Sequence, residues 1–98
     1  MTSHRLHVAY QAAHDALSGR YGGDISRTAD YIARRLIYRT AQLPAYSRSD
    51  TARRELVDQL VILAAAAKVR GGVDQHRPLL DQAVAVAARA LLVDTAQA

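Results

Sequence analysis

Apolar side chains recur every three or four residues in four stretches of the chain, and none of these stretches alternates strictly between apolar and polar residues as a half-buried strand does. Each stretch therefore predicts an amphipathic helix. The first should end at Ser18-Gly19. The second begins after Asp24, which can cap a helix, and ends before Pro44, because the residue preceding a proline avoids helical geometry. The apolar positions of these two helices are Leu6, Ala9, Ala13 and Leu17, and Ile25, Ala29, Ile32, Leu36 and Leu43.

A third helix is indicated by the spacing after the proline turn. Ser47 and Asp50, three residues apart, resemble a capping box at its start. Gly71-Gly72 should end it, since glycine is favoured just beyond helix C-termini. Its apolar positions are Ala52, Leu56, Leu60, Leu63 and Ala67.

The fourth helix should begin near Pro78, since proline is tolerated in a first helical turn, and run to about Val93. It is apolar nearly all round, so more than one of its sides needs to be covered. Two alternatives remain open: it is the central helix of the bundle, or part of it is buried by another copy or another protein. The residues expected at such a protein interface are Leu80, Val84, Ala87 and Leu91.

These patterns predict an all-α fold, a small four-helix bundle that forms one domain over residues 1–98. The chain has no cysteine, which excludes disulfides and thiolate chemistry and is typical of an intracellular protein. No stretch approaches the roughly 20 apolar residues of a membrane span, and the N-terminal MTSHRLHVAY lacks the apolar run of a signal peptide. We therefore expect a cytoplasmic protein that does not contact a membrane.

Positive charge is concentrated in one part of the chain. Between Arg20 and Arg54 there are eight arginines and three aspartates, whereas the remainder is close to neutral. This distribution predicts one electropositive face. Twelve of the thirteen basic residues are arginine, which reflects either the composition of the genome or a need for planar guanidinium contacts.

The second helix carries much of this charge, in the segment YIARRLIYRT at residues 31–40. At 100° per residue, its apolar positions cluster within roughly 60° of Ile32, and arginines and tyrosines form an unbroken stripe of roughly 140°. Because guanidinium groups bind phosphates and tyrosine rings stack on unpaired bases, the stripe predicts a nucleic-acid partner. The alternatives are a solvated face or the anchors of a protein interface. The expected nucleic-acid-binding residues are Arg27, Tyr31, Arg34, Arg35, Tyr38 and Arg39, extended by Arg48, Arg53 and Arg54 at the start of the third helix.

The sequence contains little that resembles a catalytic or metal-binding motif. His4 and His7 can chelate an ion together, but no third ligand lies near them along the chain. No serine or threonine sits in a nucleophile motif, and RYGGD lacks the lysine and the glycine spacing of a phosphate-binding loop. We expect no catalytic residue, no metal site and no cofactor.

The run YRTAQLPAYSRSDTARRELVDQLVILAAAAK, followed by HRPLLDQAVAVAARALL, combines a helix that ends in a proline turn, a long helix that ends in an alanine patch, and a leucine-rich helix. Over residues 38 to 92 this resembles the four-helix family that includes the accessory variability determinants of diversity-generating retroelements and the ribosomal-RNA intervening-sequence proteins. The resemblance implies a small basic bundle, and the accessory determinants are pentamers that associate with RNA and a reverse transcriptase. It assigns the RNA contacts of this chain to Arg34, Arg35, Arg39, Arg48, Arg53 and Arg54.

The chain is also similar, at the level of class, to the small helical subunits of CRISPR effector complexes, which are short and basic and hold nucleic acid against a larger protein. These observations predict a non-catalytic helical subunit of a ribonucleoprotein assembly. It should bind nucleic-acid backbone, RNA in preference to DNA, in several copies beside larger protein subunits. The alternative function is a protein-only adaptor or a homo-oligomeric structural subunit.

Overall fold

The computed structural model describes the backbone of residues 4–42, 49–69 and 73–97 and the side chains of residues 4–41, 49–69 and 76–93. Its four helices, in chain order, are α1 (His4–Leu17), α2 (Ile25–Gln42), α3 (Asp50–Ala66) and α4 (Val73–Gln97). The described ranges contain no strand. The predicted all-α four-helix fold is therefore confirmed.

The centre of the bundle is the pair α1 and α4, which pack along each other more extensively than any other two helices. Helix α2 lies mainly on α1 and helix α3 mainly on α4, whereas α2 and α3 meet at only a few points. Ala9 and Ala13 of α1 and Ala83 and Ala87 of α4 are completely buried in the core. Because the distance between packed helix axes depends on the side chains at the contact, these alanines favour a close approach. The bundle is thus tightly packed except between α2 and α3.

The turn after α1 and the N-terminus of α2 lie where the sequence predicted them. Gly19 has φ +78°, a left-handed conformation that glycine adopts without steric cost. The backbone N–H of Tyr21 donates a hydrogen bond of 3.0 Å to the carbonyl of Leu17. Asp24 caps α2, since its Oδ1 accepts a hydrogen bond of 3.0 Å from the backbone N–H of Arg27. Pro44, predicted to stop α2, lies outside the described residues, and α2 ends two residues before it.

The cap of α3 differs from the predicted capping box. Ser49 is the N-cap, and its hydroxyl accepts a hydrogen bond of 3.2 Å from the backbone N–H of Ala52. Ser47 lies outside the described residues, and Asp50 is the first helical residue rather than the third. Both serines fit the N-cap preference, so the sequence pattern alone could not select between them.

Helix α3 also ends earlier than its glycine pair predicted. Ala67 is the C-cap, and Lys68 adopts a left-handed φ of +54°. The backbone N–H of Lys68 donates to the carbonyl of Ala65, and that of Val69 donates to the carbonyl of Ala64, each at 3.2 Å. This is the hydrogen-bond pattern of a Schellman motif, with a lysine at the position that usually holds glycine. Gly71 and Gly72 lie outside the described residues.

Helix α4 begins five residues before the predicted start, so Pro78 lies inside it. Proline has no backbone N–H, and an interior proline leaves one helical hydrogen bond unmade. The preceding turn is held by tertiary packing, because His76 is buried and its ring meets the ring of Tyr21 edge-on, with centroids 5.2 Å apart. None of the helices in the described ranges combines the length and hydropathy that a bilayer crossing requires.

Candidate nucleic-acid interface

The arginines and tyrosines predicted on the second helix form a continuous surface along α2, with Arg39 at its edge beside the buried face. We call this surface, comprising Arg27, Tyr31, Arg34, Arg35, Tyr38 and Arg39, the α2 basic stripe. All of its members except Arg39, together with Asp30, line a shallow open cleft of about 360 Å³. The opposite face of α2 is buried against the bundle through Ala29, Ile32, Ala33 and Leu36. The division of α2 into a core face and a charged face, which the sequence predicted, is therefore present in the structure.

The arginines of the α2 basic stripe differ in their electrostatic environment. Arg34 is paired with Asp30, and its Nε donates to both carboxylate oxygens at 3.0 and 2.9 Å. Within the described part of the chain, the guanidinium groups of Arg27, Arg35 and Arg39 make no ion pair and no hydrogen bond. Arg35 and Arg39 lie four residues apart, so the two charges are neighbours on the helix surface. Three of the four arginines are thus available to an external anion.

The two tyrosines of the stripe occupy different positions. Tyr31 is half-buried, packs against the hydrophobic core, and its hydroxyl donates a hydrogen bond of 3.4 Å to Oε1 of Gln59 on α3. Tyr38 has 56% of its surface exposed. Because stacking on a base requires an open ring face, the exposed ring of Tyr38 is suited to it, whereas Tyr31 is held between α2 and α3.

The arginines at the start of α3 are not part of the α2 basic stripe. Nε of Arg53 pairs with Asp81 of α4 at 3.0 Å, and its Nη1 lies 3.3 Å from Asp50, so this side chain is directed towards α4 and is already neutralised. Arg54 is exposed, but it lies five positions before Gln59, the residue that faces α2, and five positions correspond to about 140° around a helix. Arg54 is therefore on the side of α3 turned away from α2. Arg48 lies outside the described residues.

The residues expected at a protein interface on the fourth helix are core residues. All four are buried inside the chain itself and belong to the same hydrophobic cluster as the buried residues of α1, α2 and α3: Leu80, Val84, Ala87 and Leu91. Of the two alternatives for this helix, the structure agrees with the central helix of the bundle. A partner cannot reach these side chains without opening the fold.

The structure exposes apolar residues where the sequence predicted core. Leu63 is 47% exposed and Ala67 is exposed, although both were assigned to the buried side of the third helix. The neighbouring Ile62 is 68% exposed. The available signal was the run VILAAAA at residues 61–67, which has no polar side and so cannot be covered by one neighbouring helix.

The histidines of α1 were the remaining candidates for a metal site. His4 and His7 are exposed on α1, and His14 contacts Tyr10 with ring centroids 5.6 Å apart. Across the described side chains, no three His, Asp or Glu residues are placed so that they could hold a metal ion together.

Comparison of the chain with protein-family models, with curated proteins and with solved structures gives no match. The resemblance to the accessory variability determinants and intervening-sequence proteins therefore stays a prediction from the sequence.

Proposed function

We propose that the chain is a non-catalytic helical subunit of a ribonucleoprotein assembly, and that the α2 basic stripe binds the backbone of RNA, with DNA as the second choice. The observation that carries the proposal is that three arginines of α2 have no acidic partner among the described residues: Arg27 and Arg35, which line one cleft, and Arg39, one turn beyond Arg35. Larger protein subunits and further copies of the chain are the expected companions in such an assembly.

The neighbouring charges of Arg35 and Arg39 repel each other. Like charges four residues apart on a helix are unfavourable by a few tenths of a kcal/mol, and a phosphate lying between them removes that penalty. Guanidinium groups bind phosphate oxygens through two parallel hydrogen bonds, which makes arginine well suited to a nucleic-acid backbone. Arg35 and Arg39 are therefore expected to contact one phosphate together.

Tyr38 adds a second type of interaction. Its exposed ring lies in the same cleft as Arg27, Arg34 and Arg35. Stacking of a base on an aromatic ring contributes about 1–3 kcal/mol and tolerates any base, because every base has a flat face. The combination favours an unpaired strand and predicts little dependence on base sequence.

The test is a binding titration of the purified chain with labelled single-stranded RNA, single-stranded DNA and the corresponding duplexes over a range of salt concentrations. For about three phosphate contacts to a single strand, log K should fall with log salt with a slope of about −2. The double variant Arg35→Gln/Arg39→Gln should keep its fold and lose about 1.4 from the magnitude of that slope.

A matched control separates this site from general positive charge. Arg5 on α1 and Arg89 on α4 are also exposed and also lack an ion pair among the described residues. Arg5→Gln/Arg89→Gln removes the same charge, so its slope should change much less. Equal losses from the two double variants would contradict the site. A wild-type chain that binds no nucleic acid, alone or within its purified assembly, would replace the proposal with the protein-only adaptor.

A further inference from the structure

An apolar groove runs between α2 and α3, where the two helices diverge. Its volume is about 470 Å³, and its walls include Thr28 and Tyr31 of α2 and Leu63, Ala64 and Ala67 of α3, with Val69 at one end. The groove adjoins the cleft of the α2 basic stripe, since Arg27 and Tyr31 line both. It is the place where the fourth side of the bundle is left open.

The α3 wall of the groove is more apolar than the chain itself can bury. Leu56, Leu60 and Ala64 are buried, but Leu63 remains 47% exposed and Ala66 and Ala67 are also exposed. Burial of apolar surface contributes about 25 cal/mol per Å², so these side chains offer binding free energy to any surface that fits them. Exposed apolar side chains grouped along one groove are a feature of interaction sites.

The geometry of this wall fits a helix. Leu60, Leu63 and Ala67 are spaced by three and four residues, so they form a row along the axis of α3 that extends for about 10 Å. The small side chains of Thr28, Ala64 and Ala67 allow another helix to approach closely. An amphipathic helix that places residues i, i+3 or i+4 and i+7 in a groove between two helices is an established mode of protein recognition.

The charges at the rim define the partner further. Arg27 stands on the α2 rim without an acidic partner among the described residues, and the exposed Lys68 follows Ala67 on the other side. Asp24 also lines the groove, but its carboxylate caps the N-terminus of α2, where the helix dipole favours a negative charge. A partner with acidic residues on either side of its apolar row would therefore be complementary in charge.

We propose that the groove between α2 and α3 binds an amphipathic, acidic helix of a protein partner, with the partner's apolar row on Leu63 and Ala67 and its acidic residues opposite Arg27 and Lys68. This inference does not rest on nucleic-acid binding, although the groove shares Arg27 and Tyr31 with the α2 basic stripe. It identifies how the chain is held to a larger protein, and it leaves Arg35, Tyr38 and Arg39 free.

The probe is a phage-displayed library of helical peptides with randomised surface positions, selected against the purified chain. Selected peptides should carry apolar residues at helical spacing with Asp or Glu beside them. Leu63→Gln should weaken their binding about tenfold, the loss expected for an anchor side chain. Ile62→Gln is the matched control, because Ile62 is the adjacent residue, is more exposed and does not line the groove. The affinity of this variant for the selected peptides should stay within about twofold of the wild-type value.

Charge complementarity has its own test. Arg27→Glu should weaken the selected acidic peptides, and peptides with Lys in place of Asp and Glu should regain binding to that variant. The RNA affinity of Leu63→Gln should equal that of the wild type, so a failure of this proposal is distinguishable from a failure of the proposed function.

Several results would overturn the inference. These are a library that yields no binder, binders without apolar residues at helical spacing, and equal losses for Leu63→Gln and Ile62→Gln. Self-association of the chain that Leu63→Gln abolishes would identify a second copy as the occupant instead. Cross-linking of RNA to Leu63 or Ala67 would assign the groove to nucleic acid.

Discussion

Nε of Arg34 donates hydrogen bonds to both carboxylate oxygens of Asp30, which lies one helical turn earlier on α2. Both side chains are exposed, so the pair contributes only a few tenths of a kcal/mol to the stability of the helix. Its larger effect is on the cleft of the α2 basic stripe, because Asp30 supplies negative charge to a surface otherwise lined by arginines and tyrosines. An anion that approaches Arg34 must compete with Asp30.

Replacing this aspartate should strengthen nucleic-acid binding. Asp30→Asn removes the competing carboxylate and frees Arg34 to contact a phosphate. One additional contact to a single strand should raise the magnitude of the salt slope by about 0.7 and increase affinity at low salt. Titration with labelled single-stranded RNA measures both quantities.

Asp58→Asn is the matched control for this prediction. Asp58 is also an exposed acid paired with an arginine, with Nη1 of Arg77 at 2.7 Å, but the pair joins α3 to α4 away from the α2 basic stripe. The two variants change the net charge equally. If Asp58→Asn strengthens binding as much as Asp30→Asn does, general charge rather than the cleft determines the affinity.

Leu80→Ala should destabilise the isolated chain. Leu80 is completely buried within the chain, and truncating a buried leucine to alanine typically costs about 2–5 kcal/mol because a cavity remains. Urea unfolding monitored by circular dichroism measures the loss, with Ile62→Ala as an exposed control that should change stability by less than about 0.5 kcal/mol. If Leu80→Ala left the urea unfolding midpoint unchanged and abolished binding of a protein partner, Leu80 would be an interface residue instead of a core residue.

The end of α3 offers a stabilising substitution. Lys68 has φ +54°, and a side chain in this left-handed conformation costs about 1–2 kcal/mol that glycine avoids. Part of this gain is offset by the greater freedom of glycine in the unfolded chain, so Lys68→Gly should stabilise the protein by about 0.5–1 kcal/mol. Lys68→Ala removes the same charge but keeps the strain, and it should give no gain in the urea midpoint.

Gly23 should be intolerant of a side chain for a steric reason. A Cβ at this position would lie 2.5 Å from Cγ1 of Val69 and 2.9 Å from Cε1 of Tyr21. Gly23→Ala should therefore cost about 1–3 kcal/mol, as overpacking does elsewhere. In a Val69→Ala background the cost should shrink, because the closest atom is gone. Equal costs in both backgrounds, measured in a double-mutant cycle, would exclude this contact as the cause.

Much of the fold could be predicted because it depends on local pattern. The spacing of apolar residues defined the four helices, and Asp24 and Gly19 determine their boundaries through hydrogen bonds and dihedral angles within a few residues of the chain. The predicted start of α4 was wrong because burial of His76 against Tyr21 holds an additional turn before Pro78. That contact joins residues far apart in sequence, so local propensity gave no indication of it.

The candidate site was predictable only on a single helix. The positions on α2 followed from the angle per residue, which is the same for any helix. Whether Arg53 extended the site depended on how α3 is rotated against α4, and its pairing with Asp81, 28 residues away, is a property of the assembled bundle. The exposure of Leu63 likewise depends on the divergence of α2 from α3, which no periodicity in the sequence encodes.

The central pairing of α1 with α4 has a consequence for the order of folding. The two helices that share the largest contact are separated by most of the chain, so a long loop must close before the core can form. During synthesis, α1 can pack with α2, but the apolar surfaces of α1 and α3 that α4 covers stay exposed until α4 has left the ribosome. Folding is therefore expected to be a late, cooperative event rather than a helix-by-helix accumulation, and slower than for bundles whose sequence neighbours form the core.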